Sequence, residues 1–297
     1  MAARRGLVIG RLAGIPVRVH PTFLVLIALA LVGGLGPPAQ GLLWLVLLFA
    51  SVVAHELAHS LTARRFGVRV KDILLLPIGG VSEFERLPSA PRQELLVAAV
   101  GPLTSLALGI AVATVAAVAF GTALLPVDLV HGTVLHRLAW LNVLLAGFNM
   151  LPAFPMDGGR VVRAALAERI GLARATQVAA RLGRVVAFLM AAAGLAFDIW
   201  LLLIAGFVYL GNKAEEASTL VHLRLAGKRV ADVMVPVAGA PGASLGDVAF
   251  SPDEPLEDAL RRLPGWHQIV PVVDPETGAL VGMVVVDDLA ALLDTAH

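Results

Sequence analysis

Leu42-Leu43-Trp44-Leu45-Val46-Leu47-Leu48-Phe49-Ala50-Ser51-Val52-Val53-Ala54 runs directly into His55-Glu56-Leu57-Ala58-His59. The whole segment, Gly41–Thr62, is about as long as the ~20 apolar residues a helix needs to cross a bilayer. It is apolar on every side, as a lipid-embedded helix is and an amphipathic surface helix is not. Yet one end holds two imidazoles and a carboxylate. A charged group at mid-span costs about 2.5–3.5 kcal/mol, and less near the interface. In a helix, residues four apart stand one above the other on the same face. Both imidazoles can therefore reach one metal ion, in the H-E-x-x-H arrangement known for zinc, and a bound dication would offset the burial cost. Glu56 sits beside them, placed to polarise a water rather than to ligate. With 8 His in the chain, this spacing is a rare accident.

Working outward, the rest of the chain has the same character. It is 58% hydrophobic and 15% charged, with a mean hydropathy of +0.84, well beyond a soluble domain. Its 297 residues contain no Cys, which excludes disulfides and thiolate metal sites. The net charge of +1 gives no electrostatic case for nucleic acid. Six spans are expected: Thr22–Leu35, Gly41–Thr62, Leu95–Phe120, Leu138–Leu151, Val178–Phe197 and Ile199–Leu210. The breaks fall at Gly36-Pro37-Pro38, Ser82–Glu94, Pro126–His136 and Pro155–Arg174. Of the 18 Lys and Arg before residue 220, 17 fall on one side of this map, Arg137 being the exception. The positive-inside bias then makes both termini cytoplasmic, in a multi-pass protein of the cell (inner) membrane. Residues 185–211 read either as one span or as a hairpin turning at Asp198, and the hairpin keeps Asp198 out of mid-membrane. Leu7–Val19 and Val68–Val81 read as short membrane-associated strands, with Gly79-Gly80 marking a turn.

Catalytic zinc usually takes three protein ligands and leaves a position for water. The best third ligand is Asp157, in Asn149-Met150-Leu151-Pro152-Ala153-Phe154-Pro155-Met156-Asp157-Gly158-Gly159. Pro152 and Pro155 interrupt the fourth helix, because Pro removes an amide donor and blocks helical continuation. Taken alone, Asp157 in a Pro/Gly loop is a turn residue; its depth, matching that of His59, favours the ligand reading. Gly101-Pro102 and Gly109 in the third span permit close helix packing or a kink.

The paired motifs H-E-L-A-H and N-x-x-P-x-x-P-x-D-G resemble the site-2 protease family of intramembrane metallopeptidases. The resemblance extends from Gly14-Ile15-Pro16-Val17-Arg18-Val19-His20-Pro21 through Pro77-Ile78-Gly79-Gly80 to about Glu216. It implies zinc held by His55, His59 and Asp157, with Glu56 as general base. It also implies that Asn149 binds substrate or stabilises the oxyanion, although a helix-capping or interhelical hydrogen bond explains that Asn equally. From Lys228 the pattern turns mixed and polar, so residues 1–226 and 227–297 are expected as two domains. The second, with a helix Pro255–Leu263, strands Ile269–Val273 and Leu280–Val286 and a turn Asp274–Gly278, resembles one cystathionine-β-synthase (CBS) repeat. Such repeats fold in pairs, so a single copy implies homodimerisation. The CBS resemblance also suggests an adenine nucleotide at Asp288, but the hydroxyl residue of that motif is replaced by Val285, and a purely structural role fits too.

The expected fold is a polytopic α-helical membrane protein with about six transmembrane helices, short membrane-associated β-strands and a small α/β CBS-type domain. The expected activity is zinc-dependent hydrolysis of a peptide bond in or near a transmembrane segment of a regulatory membrane protein. By the family's range, that substrate is an anti-sigma factor, a pro-sigma factor or a signal-peptide remnant. A CBS-regulated metal transporter would use the same ligands but has no need of Glu56 beside them, and a non-catalytic scaffold would bind no metal.

Overall fold

Each apolar run becomes a helix in the computed structural model. It describes residues 6–33, 37–77, 79–85, 90–121, 125, 127, 133–240, 249–263 and 269–286. The helices are α1 (Phe23–Leu31), α2 (Pro38–Arg65), α3 (Pro91–Phe120), α4 (Val134–Asn149), α5 (Asp157–Ile170), α6 (Leu172–Phe197) and α7 (Ile199–Leu225). Among the described residues, α2, α3 and α6 are long and apolar enough to cross a membrane. The run 185–211 is two helices rather than one. Asp198 is extended between α6 and α7. Gly194 lets the pair close, since a Cβ there would stand 2.6 Å from the Leu202 backbone nitrogen.

The helices are packed inside out by soluble standards. On α3 the buried residues include Ala98, Gly101, Pro102, Ser105 and Gly109, while Leu103, Ile110, Val118 and Phe120 face outward. Small residues let backbones approach where lipid already satisfies the large apolar side chains.

The stretch Pro155–Arg174, expected only as a break, contains α5. Pro152 and Pro155 precede its first turn, where a missing amide is tolerated. Gly158 permits a sharp entry, because a Cβ there would lie 2.3 Å from the Leu151 carbonyl oxygen.

The two strand-forming segments join into one sheet, ordered β1 (Leu7–Leu12), β2 (Ile15–Val19), β3 (Val70–Leu76), β4 (Gly79–Phe84). The hairpins are antiparallel, and β2 pairs with β3 in parallel through Val17 and Ile73. Leu76 opposes Gly79 and Leu75 opposes Gly80, so Gly79-Gly80 open β4 as paired strand residues. That corrects the expected turn. Gly80 is needed for contact instead, since a Cβ there would stand 2.7 Å from the Glu56 Cγ and 2.9 Å from Val52. Ile15, Val17, Ile73 and Leu75 pack on Phe23, Leu45, Phe49 and Val52. Phe23 and Phe49 meet edge to face at 4.4 Å. The edge strand β4 is thereby held against α2.

Two units divide the chain, Met1–Glu215 and Glu216–His297. The second has a 3-10 turn (Val230–Asp232), β5 (Val235–Ala240), α8 (Leu256–Arg261), β6 (Ile269–Val273) and β7 (Leu280–Val285), with strand order β5-β7-β6. Its core is Leu225, Val230, Phe250, Leu256, Ala259, Val270, Val272 and Val284. Strand β5 is absent from the sequence-based expectation because Pro236 and Gly239 mask it. Asp288 lies outside the described residues.

Candidate metal centre

His55 and His59 stand on the inner face of α2, both buried. Asp157 is the first residue of α5. The three come together: Nε2 of His55 and Nε2 of His59 are 3.0 Å apart, and each is 3.2 Å from Asp157 Oδ2. Within the described residues this is the group of His, Asp and Glu side chains able to hold a metal ion.

The surrounding hydrogen bonds fix what these atoms can do. His59 Nδ1 lies 2.6 Å from the Val97 carbonyl oxygen. A carbonyl only accepts, so Nδ1 carries the hydrogen and donates it, leaving the Nε2 lone pair aimed at the cluster. His55 Nδ1 is 3.0 Å from the Ser105 hydroxyl, also on α3. The Ser105 hydroxyl can accept as well as donate, so His55 can also carry its hydrogen on Nδ1. Both Nε2 lone pairs and the carboxylate then face one another, an arrangement that a cation among them stabilises. Zinc bonds of about 2.0–2.2 Å in tetrahedral geometry set ligand separations near ~3.3 Å, so the observed triangle fits zinc to within a few tenths of an ångström.

Glu56 lines, together with His55, His59, Asp157, Asn149, Gly80 and Ser82 among others, a cleft of about 310 Å³. Ser82 on β4 donates its hydroxyl to Glu56 Oε2 at 2.7 Å, and Ser60 donates to Ser82 at 3.1 Å. Asn149, the last residue of α4, lines the same cleft and donates its amide to the Leu145 carbonyl at 3.0 Å.

Two residues that the sequence reading left as structural, or did not see, shape the site. Gly101 on α3 leaves room for the imidazoles, because a Cβ there would stand 2.1 Å from His59 Nε2 and 2.8 Å from His55 Nε2. A glycine within an apolar span was the visible signal, but only the fold says which neighbour needs the space. Arg163 on α5, 1% exposed, donates from Nε to Glu94 on α3 at 2.8 Å and a second time from its terminal nitrogen. That pair ties the helix of Asp157 to the helix of Val97 and Gly101.

Comparison with known proteins identifies the family. The model of peptidase family M50 matches residues 43–133 and 126–193, and the CBS domain model matches residues 230–295. The chain is 36% identical to a zinc metalloprotease of Methanocaldococcus jannaschii, covering 92% of this chain and 76% of that protein. It is also 36% identical to Rip3 of Mycobacterium tuberculosis, covering 96% and 76%. A solved structure, the site-2 protease from M. jannaschii, superposes with a TM-score of 0.54 at 36% identity, over 71% of this chain and 95% of that one. The chain therefore belongs to peptidase family M50, the site-2 proteases, and is a membrane zinc metallopeptidase.

Proposed function

We propose that this protein is an intramembrane endopeptidase that cuts a peptide bond in or near a transmembrane segment of a regulatory membrane protein. The observation that carries the reading is the triangle of His55, His59 and Asp157 beside Glu56, set among helices that face lipid. His55, His59 and Asp157 would hold the zinc ion. When bound, zinc supplies Lewis acidity, bringing the pKa of a water molecule to about 7 and polarising the scissile carbonyl. Glu56 takes the proton from the attacking water and delivers it to the leaving amine. Ser82 holds the carboxylate for that transfer. Asn149, on the cleft wall, is positioned to donate to the developing oxyanion. A substrate helix hides its amides in its own hydrogen bonds, so it must unwind first. The free edge of β4, which lines the cleft, is suited to hold the extended segment by strand pairing.

The same reading takes α1, α2, α3, α4, α6 and α7 as six spans with both termini in the cytoplasm, since the Lys and Arg bias favours that orientation. It divides the chain near residue 226 into a peptidase domain and a CBS domain that pairs with a second copy. An adenine nucleotide at Asp288 is the further ligand this domain suggests. The test is Glu56→Gln in the purified full chain, measuring zinc content and cleavage of a transmembrane substrate together. Zinc should stay stoichiometric while cleavage falls by about 10²–10⁴. Retained cleavage would overturn the proposal.

A further inference from the structure

Asn212 lies on α7, 58 residues from the backbone group it binds, and its side chain is fully buried. Its Nδ2 donates to the Ala180 carbonyl on α6 at 2.8 Å. Its Oδ1 accepts the Phe154 backbone N–H at 3.2 Å. Phe154 stands three residues before Asp157, in the irregular stretch between α4 and α5. In this stretch Pro152 and Pro155 have no N–H to give. Ala153 bonds to Leu151, and Met156 bonds to Ala153. Asn212 meets the Phe154 amide, the second of the two between the prolines, and irregular backbone among membrane helices is tolerated only when its polar groups are met by protein or water.

Three glycines make the approach possible. A Cβ on Gly183 of α6 would stand 2.2 Å from Asn212 Oδ1 and 3.1 Å from the Ala153 Cα. A Cβ on Gly211 would stand 2.8 Å from the Pro155 ring. A Cβ on Gly159 would stand 2.7 Å from the Phe154 nitrogen. Helices α5, α6 and α7 thus all leave space for this one loop. On its other side, the Phe154 ring lies against the Arg163 guanidinium, 5.1 Å from centroid to carbon.

We infer that Asn212 is a positioning residue for the metal centre: by holding the backbone at Phe154, it sets where Asp157 presents Oδ2 to His55 and His59. The inference rests on the reading of those three side chains as the zinc ligands. It differs from a packing role for the α6–α7 pair, which would leave zinc affinity alone.

The experiment uses the full chain in detergent, stripped of metal and titrated with zinc against a competing chelator. Thermal unfolding of the metal-free protein is recorded beside it. Asn212→Ala and Gly183→Ala should each weaken zinc by about 10–100-fold, as loss of an outer partner of a ligand does. Asp157→Ala should weaken it more. Gly194→Ala, which crowds the same helix pair at its far end, should lower the unfolding temperature and leave zinc affinity within about twofold of wild type. Wild-type zinc affinity in folded Asn212→Ala overturns the inference, as does an equal loss of affinity in Gly194→Ala. If Asn212→Ala does not fold, Gly183→Ala decides by the same criterion. A wild-type chain without stoichiometric zinc, or an Asp157→Ala variant that binds as tightly as wild type, sinks the ligand reading and this inference with it. Loss in Asp157→Ala with none in Asn212→Ala sinks the inference alone.

Discussion

Among the described residues of the C-terminal unit the fully hidden side chains include Val230, Phe250, Leu256, Ala259, Val270, Val272 and Val284. In the N-terminal unit they include Ser60, Asn142, Arg163, Thr176 and Asn212, while Phe197, Val118 and Leu195 are 78–88% exposed. The two units are packed by opposite rules. In water, burial of large apolar groups drives assembly. In lipid that drive vanishes, and helices are held by close backbone approach, hydrogen bonds and ion pairs. The polar groups available to build a reactive site are therefore the same class of groups that hold the helices together.

That contrast can be broken by experiment. Arg163→Met leaves Glu94 buried without its partner and should cost about 3–5 kcal/mol, read as thermal unfolding in detergent. A paired Arg163→Met/Glu94→Leu variant should recover much of the loss. If Arg163→Met alone is neutral, polar ties do not hold these helices. In the C-terminal unit, Leu256→Ala should cost about 2–5 kcal/mol by leaving a cavity, with zinc affinity unchanged.

Gly101→Ala adds one carbon and sharpens the comparison, since a change of one or two carbons at the outward-facing Val118, such as Val118→Ala, should leave cleavage unchanged. It should lower cleavage by at least about 10²-fold by displacing the imidazoles, and zinc titration would show whether the ligands have moved. The smallest expected effect is Ser82→Ala. Loss of its hydrogen bond to Glu56 should lower kcat about tenfold with KM and zinc content unchanged, and Ser82→Thr should restore it. An unchanged kcat would remove Ser82 from the chemistry.

Much of the fold was legible because its signals run along one dimension. Helical spacing put His55 and His59 on one face, the Lys and Arg distribution put Asp157 at their depth, and Asp198 marked the division between α6 and α7. What escaped was set by partners distant in the chain. The parallel pairing of β2 with β3 joins segments some 50 residues apart, and nothing local in Ile15–Val19 announces it. Gly80 was expected in a turn and Ser82 at the start of the break Ser82–Glu94, whereas β4 sets both against Glu56. Gly101 and Asn212 matter through the shapes of their neighbours. Helix α5 was hidden by its own Pro and Gly punctuation, which proved to be its entrance.

The bond from His59 Nδ1 to the Val97 carbonyl has a consequence for how the protein is made. An imidazole on α2 by itself can carry its hydrogen on either nitrogen. Only when α3 docks is that choice removed, and with it the ambiguity over which lone pair faces inward. Insertion of α2 into the bilayer is thus not enough to create a defined coordinating group. The nascent chain becomes chemically competent late, when helices made at different times have found one another.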